Sequence, residues 1–426
     1  MTNRVLKRTV FHISARLCSP LCVSNGEGVL TDQDVIRDYD DIPFIPGASL
    51  AGAMRAYLGR EGNEKCIFGF VDPGQNRGEM SSVFVSDFVF TSQPVSRIRD
   101  GVALSAQKTA LTGAKFDMEV IDTGAEGAFY LELVVREKDS EEEMHRQLKR
   151  IFYGLGSHEI RLGAKKTRGY GELEVLSIKG RDYTAENILE YGGAWEPQAE
   201  LPDITHEWMG QECGQRPGYL TVEVPLRLTG GISIRQYGAR KKEPDFVHVT
   251  SGQGSEKRAV IPGTSFAGAI RHRMRDMLTE LGESAADIGT ILDGMWGCVK
   301  AEQNHGPSSG QPAAHRSCIV IDECILEDSL PLTMVRNGIS RFESSARDGA
   351  LFKERSYVGG TTILTIRIRR QEQGQEREML RLLLPVLQDI RNGYLPVGGQ
   401  SAVGRGIFEG NGRIRIDGEE WEGEYA

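Results

Sequence analysis

The chain has 426 residues, 39% of them hydrophobic, with 60 acidic and 51 basic side chains and a formal net charge of −9. That length exceeds one ordinary domain, and the apolar share suits packed domains rather than disorder. The acidic balance excludes a uniformly basic coat for nucleic acid, so any such binding must rest on local patches.

The N-terminal stretch MTNRVLKRTVFHISARL alternates like a strand and lacks the apolar block of a signal peptide. No apolar run reaches the roughly 18–20 residues that a membrane-spanning helix needs. Seven scattered cysteines read as reduced thiols, so the expectation is a cytoplasmic protein with no membrane partner. After a long polar loop, FIPGASLAGAMRAYLG begins at position 44, and VIPGTSFAGAIRHRMR repeats it from position 260. Further pairs keep the same order. Phe68-Gly69 matches Trp296-Gly297, VFVSDFVF (83–90) matches CIVIDECIL (318–326), and RIRDGVALS (97–105) matches MVRNGISRF (334–342). AKFDMEVIDTG (114–124) matches ALFKERSYVGG (350–360), and IRLGAKKTRGYGELEV (160–175) matches LPVGGQSAVGRGIFEG (395–410). A conserved order of so many features means an internal duplication.

Each half opens with an alternating strand, TVFHISARL (9–17) or LTVEVPLRL (220–228), and carries a second helix near 140–154 or 377–392. The expected fold is α+β: two tandem ferredoxin-like (RRM-like, βαββαβ) domains, each interrupted by a hairpin insertion. The boundaries are 1–180 for the first domain, 181–217 for an aperiodic linker with one short helix, and 218–426 for the second.

Several repeated segments suit a nucleic-acid phosphate chain. In PGAS and PGTS, Ser49 and Ser265 are placed to cap the following helix, whose N–H groups favour phosphate, with Arg55 and Arg271 in the second turn. The Gly-rich segments carry Lys165, Lys166, Arg168 and Arg405, and 149–168 holds six basic residues against one acid, Glu159. Such a patch fits a phosphate chain better than a single phosphoryl group. The long excursions after 97 and 334 bring Arg99 and Arg336, and each ends with a phenylalanine, Phe116 or Phe352, expected to tuck inward. In the second half alone, Cys298, His305, His315 and Cys318 could ligate a structural zinc by residue type. Their spacing is irregular and no CxxC pair anchors it, which favours a plain loop.

The ordered set of strand, polar loop, IPGxSxxGAxR helix, RNGIS-like excursion and Gly-rich loop resembles the RAMP superfamily of CRISPR-associated proteins. It is most similar to the backbone subunits of type III effector complexes, here in a fused double form resembling type III-D. The resemblance covers both halves. It implies RAMP palms lined along a guide crRNA and thumb hairpins wedged into the guide–target duplex. The implied partners are the guide crRNA, a complementary target RNA and other type III subunits, and the implied role is antiviral defence. In this family a loop acid supports cleavage of the target by a metal-dependent endoribonuclease activity, with magnesium the expected divalent ion. The family writes that loop as Asp, two residues, then Val-Ile-Lys/Arg-Asp before the turn. In DQDVIRDYDDIPFIPG this register assigns Asp32 as the catalytic acid. The second half departs from the pattern, and Asp245, its only aspartate between first strand and turn, is the expected counterpart, with His248 an assistant. The competing readings are a non-catalytic RNA-binding scaffold in the same complex and a guide-precursor-processing endoribonuclease, which would use a histidine such as His12 or His272.

Overall fold

A computed structural model describes all residues except 1–2, 25, 27, 29, 73, 75–76, 106–108, 197–199, 210–217, 238–242, 255–256, 299–314, 372–373 and 424–426. The chain is mixed α and β, mostly strand, and each half builds one main antiparallel sheet. In the first half, the opening strand Val5–Leu17 lies centrally between Leu173–Tyr183 and Glu126–Arg136. Short strands Val83–Val85 and Phe88–Phe90 pair on the far side of Glu126–Arg136. The second half repeats that order. Tyr219–Thr229 lies between Ile407–Gly410 and Thr361–Arg369, and Ile319–Ile321 completes the edge.

Two helices cover one face of each sheet. Glu141–Gly156 starts where Ser140 accepts the N–H of Glu143, with three glutamates in the first turn to match the helix dipole. Its Met144, Leu148, Ile151 and Leu155 recur at helical spacing and are buried against Phe11 and Ile13 of the sheet. In the second half, Gln375–Arg391 buries Leu383, Leu387 and Ile390 in the same way. Each half has its own core.

The repeated Ile-Pro-Gly now has a steric reason. Helices Gly47–Leu58 and Gly263–Glu280 begin directly after Pro46 and Pro262, both extended, near φ −57 and −56. A Cβ at Gly47 would lie 2.5 Å from the Val85 carbonyl oxygen, and one at Gly263 would lie 2.0 Å from that of Ile321. Glycine therefore lets the helix start abut the second strand's end. Ser49 and Ser265 sit inside the first turn, where Ser49 donates its N–H to the Pro46 carbonyl (2.8 Å), so the prolines take the cap position expected of the serines. Gly263→Ala should lower stability by about 1–3 kcal/mol. Gly268→Ala, in open space on the same helix, should raise it by up to about 1 kcal/mol. Thermal unfolding of both variants checks the contrast.

The expected linker packs onto the first half. Its start completes strand Leu173–Tyr183, and helix Thr205–Met209 buries Trp208 edge-on against Phe11, with ring centroids 4.7 Å apart. Two long hairpins leave the sheets, Ser96–Leu104 with Ala110–Ile121 and Leu330–Ile339 with Ala346–Val358.

The halves meet across a charged seam. Arg161 donates to Asp322 at 2.7 Å, and Arg367 lies 3.0 Å from Asp322 and 3.2 Å from Glu172. Arg99 reaches from the first hairpin to Glu323 at 3.3 Å. Gln253 of the second half accepts the N–H of Val95 (2.9 Å) and donates to the carbonyls of Asp122 and Thr123. The side chains of the Arg161, Glu172, Asp322 and Arg367 quartet are all nearly buried.

Candidate nucleic-acid interface

The polar loop of the first half is fastened to the base of its hairpin. Asp34 accepts the N–H groups of Leu30 and Thr31, each at 2.9 Å. Asp32 and Asp117 then bond reciprocally: the Asp32 N–H donates to the Asp117 carboxylate (3.0 Å), and the Asp117 N–H donates to Asp32 Oδ2 (2.9 Å). One turn of chain further, Glu119 accepts the Val35 N–H (3.1 Å) and pairs with Arg37. Asp38 closes the loop by accepting from Asp40 and Ile42. The residues of the DVIRD stretch thus act as a clamp that leaves Asp32 exposed beside the hairpin.

The second half reaches the same arrangement from a different sequence. Strand Phe246–His248 runs parallel to Ala346–Val358, pairing Phe246 with Glu354. Immediately before it, Asp245 Oδ2 accepts the Lys353 N–H at 2.8 Å. In the aligned segments AKFDMEV and ALFKERS, Phe116 matches Phe352 and Asp117 matches Lys353. Each exposed aspartate therefore receives the backbone N–H of the residue that follows the hairpin phenylalanine.

His248, expected to assist Asp245, is buried. Its Nδ1 accepts the Ile234 N–H (3.0 Å) and its Nε2 donates to the Val260 carbonyl (3.0 Å). Burial pushes its pKa down to about 4 from 6.5, so it is a neutral structural imidazole and not an acid or base for a substrate. Above pH 6.5 both folded and unfolded forms are neutral, and stability falls as pH drops from 6.5 to about 4, by about 3 kcal/mol in all. His248→Gln should flatten that part of the melting-temperature profile. His12 packs at a tilt against Tyr130 with centroids 4.8 Å apart, and His272 lies 3.7 Å from Asp276, so the two lie in different halves with different neighbours.

The hairpin phenylalanines are half-buried beneath cations. Lys165 and Arg168 lie 5.2 and 5.5 Å from the Phe116 ring centroid. Arg235 lies 5.9 Å from that of Phe352 and 4.7 Å from that of Phe246. The Gly-rich loops are conformational twins. Lys165 and Gln400 are both left-handed, at φ 57 and 61, and each precedes a short 3-10 turn. Gly171 and Gly406 both sit where a Cβ would come within 1.9 Å of a carbonyl oxygen. The loops seat on the segment after each opening strand, Ala164 donating to the Cys22 carbonyl (2.8 Å) and Gly399 to that of Ser233 (2.9 Å).

The other expected RNA contacts divide by exposure. Lys165, Lys166 and Arg168 are partly exposed on one loop, with burial lowering the pKa of both lysines. Arg55 is exposed, bonding the Gly69 carbonyl at 3.5 Å, and Arg271 pairs with Asp293 at 3.3 Å. Arg336 is partly exposed, 3.9 Å from Glu354. Arg99 differs from expectation, being buried in the seam, and Arg405 is buried 3.4 Å from Glu354. The basic run 149–168 likewise splits, since Arg150 bonds Gln147 inside the core and Arg161 belongs to the seam. Of the zinc set, His305 lies outside the described residues. Cys298 and His315 pair through their backbones and Cys318 accepts from Gln371, while no metal-binding cluster occurs among the described residues.

The model of the RAMP superfamily matches the chain twice, over residues 14–174 and 245–409. The chain belongs to the RAMP superfamily. No curated protein matches it. One match falls in each half, so this RAMP protein carries the family's domain in duplicate. Membership points to a CRISPR-associated, RNA-binding subunit, and no helix among the described residues is long and apolar enough to cross a membrane. Sequence reasoning missed Asp117, Lys353, the Arg37–Glu119 clamp and the partners of Arg99. Only the alignment of AKFDM with ALFKE held any signal, because it placed two side chains of opposite charge at one position.

Proposed function

We propose that this chain is a fused double backbone subunit of a type III CRISPR effector complex, and that it holds guide crRNA and cuts a complementary target RNA beside Asp32 and Asp245. The matching seat of the two aspartates supports this reading most directly, because unrelated loops bring one carboxylate to the same backbone N–H in each half. In this reading each sheet with its two helices is a ferredoxin-like palm and each long hairpin a thumb. The second hairpin exposes Ile339 and Phe342 at its tip, an apolar wedge that suits unstacking of a base step. The cations over Phe116 and Phe352 lie on the rings that immediately precede each aspartate's N–H donor and would contact the RNA backbone.

The chemistry asks for a carboxylate near a splayed linkage, where the 2′-OH lies in line with the leaving oxygen. At the first site Asp32 and Asp117, each accepting the other's backbone N–H, are the residues that would hold a magnesium ion. Such an ion supplies charge neutralisation at the phosphate when bound. Asp32 orients the attacking hydroxyl, and the clamp of Arg37 and Glu119 holds the loop in place. A complex carrying both Asp32→Ala and Asp245→Ala should bind target RNA as wild type does and leave it whole. Undiminished cutting would overturn the cleavage reading, and loss of salt-dependent RNA binding by the wild-type chain would overturn the family role.

A further inference from the structure

The two aspartates share a seat but not a neighbour. Asp117 supplies the N–H to Asp32, and Lys353 supplies it to Asp245, at the same position of the repeat. The difference changes the residue whose backbone holds each aspartate from a second carboxylate to an exposed lysine, whose flexible stem lets its ammonium swing toward the reacting group. A lone carboxylate beside an ammonium does not fit a divalent ion, whereas a carboxylate pair does. The surroundings reinforce the contrast. Directly after Lys353, Glu354 is buried among three arginines, with Arg235 at 3.1 Å, Arg405 at 3.4 Å and Arg336 at 3.9 Å. Burial pushes the Glu354 carboxyl up, but the Ser233 hydroxyl that donates to it and the charges of Arg235 and Arg405 hold it below its ordinary range. The matching position in the first half is Met118. The second hairpin therefore gathers three arginines around a buried carboxylate at a position where the first has an apolar side chain.

We propose that Lys353 is a catalytic residue of the Asp245 site, supplying the cation that the Asp32 site takes from solution, so that the two cuts differ in their need for divalent metal. This rests on the cleavage reading above. At the Asp245 site the 2′-oxygen forms its bond to phosphorus while the bond from phosphorus to the 5′-oxygen breaks, giving a 2′,3′-cyclic phosphate and a 5′-hydroxyl. The 2′-OH proton passes to the Asp245 carboxylate. The Lys353 ammonium neutralises the phosphate and gives a proton to the departing 5′-oxygen, and exchange with water restores both groups.

The test uses the assembled complex with an end-labelled target, resolving the two products after removal of metal with EDTA. The Asp32-dependent product should fall by about 100-fold or more, and the Asp245-dependent product by no more than about threefold. Lys353→Ala should reduce the second product by about 100-fold with or without metal, Lys353→Arg should retain it, and Lys353→Asp should make it depend on added magnesium. A readout independent of turnover is bound manganese by electron paramagnetic resonance: Asp117→Asn should remove one ion per complex and Lys353→Asp should add one. Equal loss of both cuts in EDTA, or an unaffected second cut in Lys353→Ala, overturns the proposal while leaving the cleavage reading intact. If neither Asp32→Ala nor Asp245→Ala removes its product, both fall together.

Discussion

Asp32→Ala should abolish one of two cuts in a guided target and leave the other at its wild-type rate, and Asp245→Ala should do the reverse. Each loss should amount to at least about 100-fold, the usual weight of a positioned acid–base group. The two effects should be independent because the aspartates sit on separate loops, each tied to its own hairpin. A structural effect can be separated from a chemical one. Asp32→Asn keeps an oxygen able to accept the Asp117 N–H but removes the negative charge, so the loop should stay seated and the cut should still vanish. Product mapping on a labelled target checks both, with melting temperature as the control for folding. Loss of both cuts from either single change would mean that the aspartates act through assembly rather than at a linkage.

Asp322→Ala should be the most damaging single change to the joined structure. Asp322 lies between Arg161 at 2.7 Å and Arg367 at 3.0 Å, and removing it leaves two buried guanidiniums to share Glu172. Breaking such a pair from one side costs about 3–5 kcal/mol, because the remaining charge stays desolvated. For halves of this size that corresponds to a fall on the order of 10 °C in melting temperature. Arg413→Ala, which breaks an exposed pair with Glu420, should change stability by less than about 1 kcal/mol. Protease sensitivity should rise in Asp322→Ala, since the first Gly-rich loop also rests there, with Gly169 packed against the Ile321 carbonyl.

The fold was legible because its signals are local and repeated. Alternation marks Val5–Leu17 and Tyr219–Thr229, and helical spacing marks Met144, Leu148 and Ile151. Duplication doubled the weight of each. The helix caps misled because serine is the commoner cap, while the steric demand of the strand end behind Gly47 and Gly263 is a tertiary fact. The candidate site was half legible. Asp32 followed from a register within one loop, but its partner Asp117 is 85 residues away, and nothing local announces a bond across that distance. Basic residues were the weakest guide. Arg99, Arg161 and Arg405 look like an RNA-binding surface in sequence, yet each is buried beside carboxylates that come from distant parts of the chain. Net charge in a segment says little about which way an arginine points.

The most direct test is a structure of the assembled complex holding guide and target RNA, with Asn in place of Asp32 and Asp245 to keep the target whole. Two bent phosphodiesters should lie within one-water reach of positions 32 and 245, related by the rotation that lays one half on the other. An RNA path along a different face, or a straight strand passing either position, would contradict the account.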